Sequence, residues 1–167
     1  MTILNPIRLF NRNGPYYMAT LQFEEPVKVN GVSIILAEWG GYLAMAPKMK
    51  DGNDNWKSVI KWKPSYAHKL ANKAVEADNY NKRETPVKLA NDRSIIGYTT
   101  LELPCSVDVA VFVDKHGTPY LRLPGRTVTF MNDGKECKKT IYYIDIEDRN
   151  KREEIAKQII EEAKKHK

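Results

Sequence analysis

The sequence has few cysteines, few histidines and no long apolar run. Its 167 residues include two cysteines and three histidines. Cys105 and Cys137 fit neither the spacing of a metal site nor a disulfide framework. No apolar stretch approaches the roughly 20 residues that a membrane-spanning helix needs, and the first ten residues lack the pattern of a signal peptide. The composition therefore predicts a soluble protein of the reducing cytoplasm, with no membrane contact.

Signatures of catalysis are missing as well. His68, His116 and His166 have no nucleophile pattern beside them, and His68 is interpreted as a surface residue of a helix. Cys105 is expected in the core, whereas Cys137 falls in a lysine-rich hairpin. The sequence contains neither a glycine-rich phosphate loop nor a paired-carboxylate signature. We therefore predict a protein that is not an enzyme, without catalytic residues, metal ligands or a cofactor.

Positive charge is present but unevenly distributed. The net charge is +6, and residues 48–73 contain seven lysines against two acids, Asp51 and Asp54. A local excess of this kind attracts polyanions such as nucleic acids. An ordinary solvated face has the same composition, so the charge alone does not decide between the two interpretations.

The first half of the chain reads as strands followed by a helix. Apolar alternation, interrupted at Pro26 and by a polar hairpin loop over 47–55, predicts strands at 16–23, 27–36, 42–46 and 56–62. An apolar stripe that begins after Ser65, a favourable N-cap, predicts a helix. The polar residues 78–85 are expected to form a linker.

The second half repeats this order. Strands are predicted, with an interruption at Pro104, over residues 95–103, 107–113, 120–123, 127–131 and 140–144. Asp133-Gly134 is a common turn pair and predicts a hairpin. A second amphipathic helix is expected from about Asp148, with its apolar stripe at Ile155, Ala156, Ile159, Ile160 and Ala163.

The two halves also match residue by residue at a constant offset of 78. The matched pairs are Glu24 with Glu102, Pro26 with Pro104, Tyr42 with Tyr120, Leu43 with Leu121 and Lys48 with Arg126. Small units of this size bury little core alone and often form two-fold dimers. We therefore predict an α+β fold of two tandem repeats, 1–80 and 86–167. Each repeat would be a curved antiparallel sheet with a hairpin and a C-terminal amphipathic helix, and the two would pack as a pseudo-dimer.

Three segments carry a family resemblance. Residues 42–48 (YLAMAPK), the polar loop, residues 56–60 (WKSVI) and the following helix resemble the septation regulator SpoVG family (stage V sporulation protein G). That family has a strand ending in aromatic–aliphatic–Ala-Met-Pro-Ser-Lys, a polar loop, an aromatic-basic-x-Ile strand and a C-terminal helix. Residues 120–126 (YLRLPGR) resemble the same strand end in the second half.

The chain departs from the family pattern at three points. Ala46 displaces the proline of the first copy by one place, and Gly125-Arg126 stands where Ser-Lys is usual. Family members are also single units that dimerise, whereas this chain has two copies. The resemblance implies a DNA-binding regulator of transcription from a bacterium or phage, acting as a dimer or pseudo-dimer without a cofactor.

The candidate binding surface is basic and lies mainly in the first repeat. The candidate nucleic-acid-binding residues are Lys48, Lys50, Lys57, Lys61, Lys63 and Lys69, with Arg122 and Arg126 as their counterparts in the second repeat. Lysine and arginine bind phosphates through charge, so DNA or RNA is the expected partner. The acids Asp145, Glu147 and Asp148 should weaken the patch of the second repeat, which also includes Lys138 and Lys139.

The sequence leaves two alternatives open: whether the tryptophans are buried, and whether the partner is a nucleic acid. Period two places Trp56 and Trp62 on the face opposite Lys57 and Lys61, which favours buried tryptophans and a lysine surface. If exposed, Trp56, Trp62 and Tyr66 would instead stack on unpaired bases. The alternative to nucleic-acid binding is a non-enzymatic interaction or assembly module that uses exposed strands.

Overall fold

A computed structural model describes residues 1–10 and 14–166 of the chain. The fold is α+β, with antiparallel strand pairs and two helices, as predicted. The helices are α1 (Pro64–Glu76) and α2 (Arg149–Lys165). The strands are β1 (Thr2–Arg8), β2 (Tyr17–Leu36), β3 (Tyr42–Met45), β4 (Lys48–Lys50), β5 (Trp56–Ser58), β6 (Ile60–Lys61), β7 (Asn81–Lys88), β8 (Ser94–Val113), β9 (Pro119–Arg122), β10 (Gly125–Asn132) and β11 (Lys135–Tyr142).

The chain divides into two compact units. Unit 1 consists of Met1–Glu24 and Ser106–Lys167, and unit 2 is the continuous segment Glu25–Cys105. The boundaries fall inside β2 and β8, which are each 20 residues long. Each long strand therefore contributes one part to each unit. No helix in the described part of the chain has the length and apolar character needed to cross a membrane.

Unit 2 places α1 against an antiparallel sheet. Its part of β2 pairs with β3, and its part of β8 pairs with β7. Side chains also join β2 to β8, because Thr100 donates a 2.9 Å hydrogen bond to Asn30 and Lys28 lies 4.0 Å from Glu102. Helix α1 packs on β3 and buries Ala67. Burial of apolar side chains on these elements supplies the driving force for folding.

Unit 1 has a corresponding arrangement. β1 pairs with its part of β2, and β9 pairs with its part of β8. Between β2 and β8, Thr20 donates a 2.8 Å hydrogen bond to the Asp108 carboxylate. Helix α2 packs on β9 and β1 and buries Ile155 and Ile159. The helical stripe predicted from the sequence is therefore confirmed as the side of α2 that faces the sheet.

Several predicted strand boundaries are wrong. Pro26 and Pro104 do not interrupt their strands, since β2 and β8 run through them. Both prolines are exposed, and the fixed φ of proline is compatible with an extended strand where no ladder hydrogen bond is lost. Most of the predicted linker 78–85 belongs to β7 instead. Pairing with β8 makes this segment a strand, although its polar sequence does not predict one.

The two helix starts differ from each other. Ser65 is not an N-cap; Lys63 occupies that position without a side-chain hydrogen bond, and Pro64 is the first helical residue. Proline suits this position because its missing N–H would have no partner there. The predicted start of α2 is confirmed, since Asp148 is its N-cap and accepts a 2.9 Å hydrogen bond from the Asn150 N–H.

Two edge strands contain irregularities next to proline. The pairing of β1 with β2 shifts register between Leu4 and Ile7, and Pro6 lies inside this shift. The pairing of β7 with β8 shifts between Lys82 and Val87, and Pro86 lies inside it. Bulges and prolines of this kind reduce the ability of an edge strand to pair with another chain.

The order of elements recurs along the chain. A strand, a 20-residue strand, a short strand, a two-stranded hairpin and a helix follow one another as β1, β2, β3, β4–β5 and α1. The same order follows as β7, β8, β9, β10–β11 and α2. The first series has one additional strand, β6, of two residues. The predicted repeat 1–80 contains the first series, whereas the predicted start of the second repeat at residue 86 falls inside β7. Each compact unit draws on both series.

Candidate nucleic-acid interface

The predicted binding residues are distributed over both units. Those on unit 2 lie on the hairpin β4–β5, on β6, at the N-cap of α1 and within α1: Lys48, Lys50, Lys57, Lys61, Lys63 and Lys69. Arg122 and Arg126 lie on β9 and β10 of unit 1.

The hairpin β4–β5 separates its three lysines between two faces. Lys50 lies directly opposite Trp56, and Lys48 lies directly opposite Ser58. Residues directly opposite each other in an antiparallel pair point to the same face. Lys48, Lys50 and Trp56 therefore share one face, whereas Lys57 lies on the other.

Lys57 takes part in ordering the hairpin loop. One oxygen of the Asp51 carboxylate accepts hydrogen bonds from the Asn53 and Asn55 N–H groups, at 2.9 and 3.0 Å. The other oxygen lies 2.8 Å from Lys57 Nζ. The pKa of Asp51 is lowered, mainly by the hydrogen bond from Lys57 and then by that from Asn55. The hydrogen bond with Asp51 in turn raises the pKa of Lys57. Lys57 thus holds the loop from the face opposite Lys48 and Lys50, so it does not add to their surface.

Trp56 is exposed, so its predicted burial is wrong. Its side chain is 64% exposed, and Lys50 Nζ lies 5.4 Å from the ring centroid. Lys50 Nζ also lies 3.0 Å from Asp54. β4 and β5 pair only with each other among the described strands, so Trp56 is not in the sheet core that the alternation suggested. Trp62, by contrast, is half-buried.

The other four candidate lysines of unit 2 carry charge that no acid among the described residues compensates. Lys48, Lys61, Lys63 and Lys69 are exposed. None of these four forms an ion pair with another residue in the part of the chain that the structure describes. Uncompensated surface lysines are available to phosphates without first breaking a salt bridge.

His68 has a structural role that the sequence did not indicate. Its Nδ1 accepts a 2.9 Å hydrogen bond from the Ala44 N–H of β3. His68 is half-buried, and burial, with a smaller contribution from the charge of Arg93, lowers its pKa. The interpretation of His68 as a plain surface residue is therefore wrong. The imidazole joins α1 to β3 in its neutral form, because a protonated Nδ1 has no lone pair to accept with.

This hydrogen bond predicts a loss of stability in mild acid. The pKa of His68 lies below its ordinary 6.5 in the folded protein, so the unfolded chain binds this proton more readily. The contribution of His68 to stability is complete above that ordinary value and falls as the pH drops through the lowered pKa. Urea unfolding at about pH 7.5 and about pH 5.5 should show a larger loss for the wild type than for His68→Gln. Equal losses in the two proteins would contradict this role.

In unit 1, Arg122 lies in an aromatic cluster. Phe112 and Tyr120 face each other across β8 and β9, with ring centroids 5.7 Å apart and planes inclined by 18°. The Arg122 guanidinium lies 5.4 Å from the Phe112 centroid. Tyr120 is 47% exposed, so part of this cluster is accessible. A guanidinium stacked on a ring keeps its charge and its outward hydrogen-bond donors.

Arg126 begins the second hairpin, next to a glycine. It lies opposite Ile141 in the pairing of β10 with β11. A Cβ at Gly125 would lie only 2.6 Å from the Ile141 carbonyl oxygen. A serine at this position, which the SpoVG motif favours, would therefore displace the neighbouring strand.

Trp39 is an exposed aromatic residue that sequence reasoning missed. It is 76% exposed in the turn between β2 and β3, where the Ala37 N–H donates a 2.9 Å hydrogen bond to the Gly41 carbonyl. Its ring lies against the Gly41 backbone, and a Cβ at Gly41 would overlap it. The tripeptide Trp-Gly-Gly could have predicted this exposure, because a bulky side chain inside a turn is not covered by a sheet.

The two cysteines differ in environment. Cys105 is buried, as expected, and burial raises the pKa of its thiol to about 11. A thiol with a raised pKa is a poor nucleophile at neutral pH. Cys137 is half-buried on β11. No group of three or more potential ligands that could hold a metal ion occurs among the described residues.

Known proteins provide no assignment for this surface. No protein-family model, no curated protein and no solved structure matches the chain. The resemblance to the SpoVG family therefore stays a prediction. The function has to be inferred from the geometry of the exposed cations and aromatic rings.

Proposed function

We propose that the protein is a nucleic-acid-binding regulator of the SpoVG type, without enzymatic activity, that binds DNA through basic hairpin surfaces. The observation that carries the proposal is the face of β4–β5 on which Lys48, Lys50 and the exposed ring of Trp56 lie together. A cation beside an exposed aromatic ring offers a phosphate contact and a stacking surface at one place. Lys61, Lys63 and Lys69 extend the positive charge of the same unit.

We also propose that the chain is a fused pseudo-dimer of two divergent repeats, 1–80 and 86–167. The recurring order of elements supports this, as does the Glu-x-Pro sequence that recurs within β2 and β8, at 24–26 and 102–104. Each compact unit combines elements of both repeats, as an exchanged dimer would. Fusion makes such pairing independent of protein concentration and allows the copies to diverge.

The proposed function predicts that the protein binds DNA strongly, that the affinity depends on salt, and that Lys48 and Lys50 contribute to it. Labelled single-stranded and duplex DNA should bind, with affinity that falls steeply as salt is raised, because binding releases counterions. The double variant K48E/K50E should bind more weakly and reduce the slope of log affinity against log salt by about 2. Fluorescence anisotropy at a series of salt concentrations measures both quantities.

The matched control reverses two lysines elsewhere. Lys157 and Lys164 lie on α2 and already pair with Glu153 and Glu161, so K157E/K164E changes the net charge equally. This control should bind almost as the wild type does. If the two double variants weaken binding equally, net charge rather than this hairpin face is responsible. If the wild type binds no DNA even at low salt, the proposed function is wrong.

Assembly through exposed strands is less well supported. Of the edge strands, β1 and β7 each carry a register shift with a proline inside it. Such edges pair poorly with further chains. Uncompensated lysines on unit 2 also favour an anionic partner over an uncharged strand.

A further inference from the structure

The hairpin β10–β11 is a long, regular ribbon. Its strands pair with each other along eight residues, from Gly125 opposite Tyr142 to the turn at Asp133-Gly134, without a register shift. The turn residues have φ angles of 50° and 74°, as the predicted Asp-Gly turn requires. A ribbon of this length spans about 25 Å. Its counterpart in the first repeat, β4–β5, has three residues in each strand.

The two faces of this ribbon differ in charge. Directly opposite residues share a face, so the register assigns every side chain to one face or the other. One face, here called the basic face, has three cations and no acid around a row of apolar side chains: Arg126, Lys135 and Lys139 around Val128, Phe130, Cys137 and Ile141. The other face has one lysine and one acid: Lys138 and Glu136.

The cations of the basic face are free to bind a partner. Arg126, Lys135 and Lys139 are exposed. None of them forms an ion pair with any residue of 1–10 or 14–166. The β4–β5 hairpin is different in this respect, because Asp51 and Asp54 each lie next to one of its lysines.

We propose that the basic face of β10–β11 binds in the major groove of duplex DNA. This inference rests on the proposed function and specifies the nucleic acid and the element that contacts it. The major groove of B-DNA, about 12 Å wide, admits a two-stranded β-ribbon. Along the ribbon, the three cations extend over about 20 Å, which allows contacts with phosphates on both sides of the groove. The apolar row between them suits the methyl groups of thymine.

Duplex DNA fits this face better than the other nucleic acids do. Phe130, 44% exposed, is the only aromatic ring on the basic face. Single-strand binding uses successive stacked bases, for which one ring is insufficient. Duplex RNA has a deep, narrow major groove that side chains cannot enter. Glu136, the one acid within the paired strands of the ribbon, lies on the other face.

Two adjacent lysines provide the test. Lys139 lies on the basic face and Lys138 on the other, and both are exposed. The same substitution at each position therefore changes the net charge by the same amount, but on opposite faces of the ribbon. K139E should weaken binding to a short mixed-sequence DNA duplex about tenfold and reduce the salt slope by about 1 or more, whereas K138E should have little effect. Circular dichroism checks that both variants fold.

A second measurement locates the ribbon on the DNA. Dimethyl sulfate methylates guanine N7 in the major groove, so the wild type should protect guanines of the bound duplex. Protection should be lost with K139E and kept with K138E. If K138E and K139E bind duplex DNA equally, or if no N7 is protected, the ribbon proposal is wrong while binding through β4–β5 stands. If the wild type binds no nucleic acid at all, both proposals are wrong.

Discussion

Replacing Ile159 with alanine is expected to lower the free energy of unfolding by about 3 kcal/mol. Ile159 is fully buried on α2, the helix that packs on β9 and β1 of unit 1. The substitution removes buried methyl and methylene groups and leaves a cavity, because close-packed neighbours relax only partly. Urea unfolding followed by circular dichroism measures the change.

The neighbouring isoleucine is the matched control. Ile160 is half-buried, so Ile160→Ala should cost less, about 1 kcal/mol. The tryptophans Trp39, Trp56 and Trp62 all lie in unit 2, so tryptophan fluorescence follows that unit alone. Since β2 and β8 contribute to both units, we expect Ile159→Ala to shift the fluorescence transition too. A shift seen only by circular dichroism would mean that the units unfold separately, and equal losses at the two isoleucines would contradict the burial of Ile159.

Replacing Trp56 with alanine is expected to weaken binding of single-stranded DNA by about 1–3 kcal/mol, or roughly 5- to 150-fold. The Trp56 ring is largely exposed next to Lys50, which is the arrangement on which an unpaired base can stack. The loss should be smaller for duplex DNA, whose bases are already stacked on each other. Anisotropy titrations with both forms of one sequence measure the difference.

A phenylalanine at position 56 distinguishes a loss of stacking from a disturbance of the fold. Trp56→Phe keeps an aromatic face and should retain most of the single-strand affinity. Because Trp56 is not part of the core, both variants should unfold at nearly the wild-type urea concentration. Single-strand affinity in Trp56→Ala equal to that of the wild type would exclude stacking at this position. A loss of equal size in Trp56→Phe would indicate that the hairpin itself had been disturbed.

Local sequence patterns predicted the elements that local interactions form. The Asp133-Gly134 turn and the start of α2 at Asp148 follow from side chains that determine their own backbone geometry. The stripe on α2 correctly identified Ile155 and Ile159 as buried. The start of α1 could also have been predicted, because proline is favoured at the first helical position.

The elements that were missed depend on distant parts of the chain. Every residue of β7 is exposed, and only pairing with β8 makes this segment a strand. Similarly, the continuity of β2 through Pro26 depends on the strands beside it and not on its own residues. For this reason β-propensity is a weaker guide than helix propensity.

The candidate site was predicted in composition but not in geometry. The sequence identified the lysines, yet the register places Lys57 on the face opposite Lys48 and Lys50. Alternation also implied that Trp56 is buried, because it cannot distinguish a sheet covered on one face from an isolated hairpin. The contact between His68 and Ala44 was not foreseeable, since it joins residues 24 positions apart through an edge N–H group.

The division of the chain has a consequence for its synthesis on the ribosome. Unit 2 is one continuous segment and can form once Cys105 has emerged. Met1–Glu24 is translated before unit 2, whereas its partner segment Ser106–Lys167 is translated after it. The ribosome adds the residues from Glu25 to Lys167 in roughly 7–29 seconds, at about 5–20 residues per second. During that interval β1 and the start of β2 can pair with each other but lack the rest of unit 1, so this segment is a natural substrate for a chaperone.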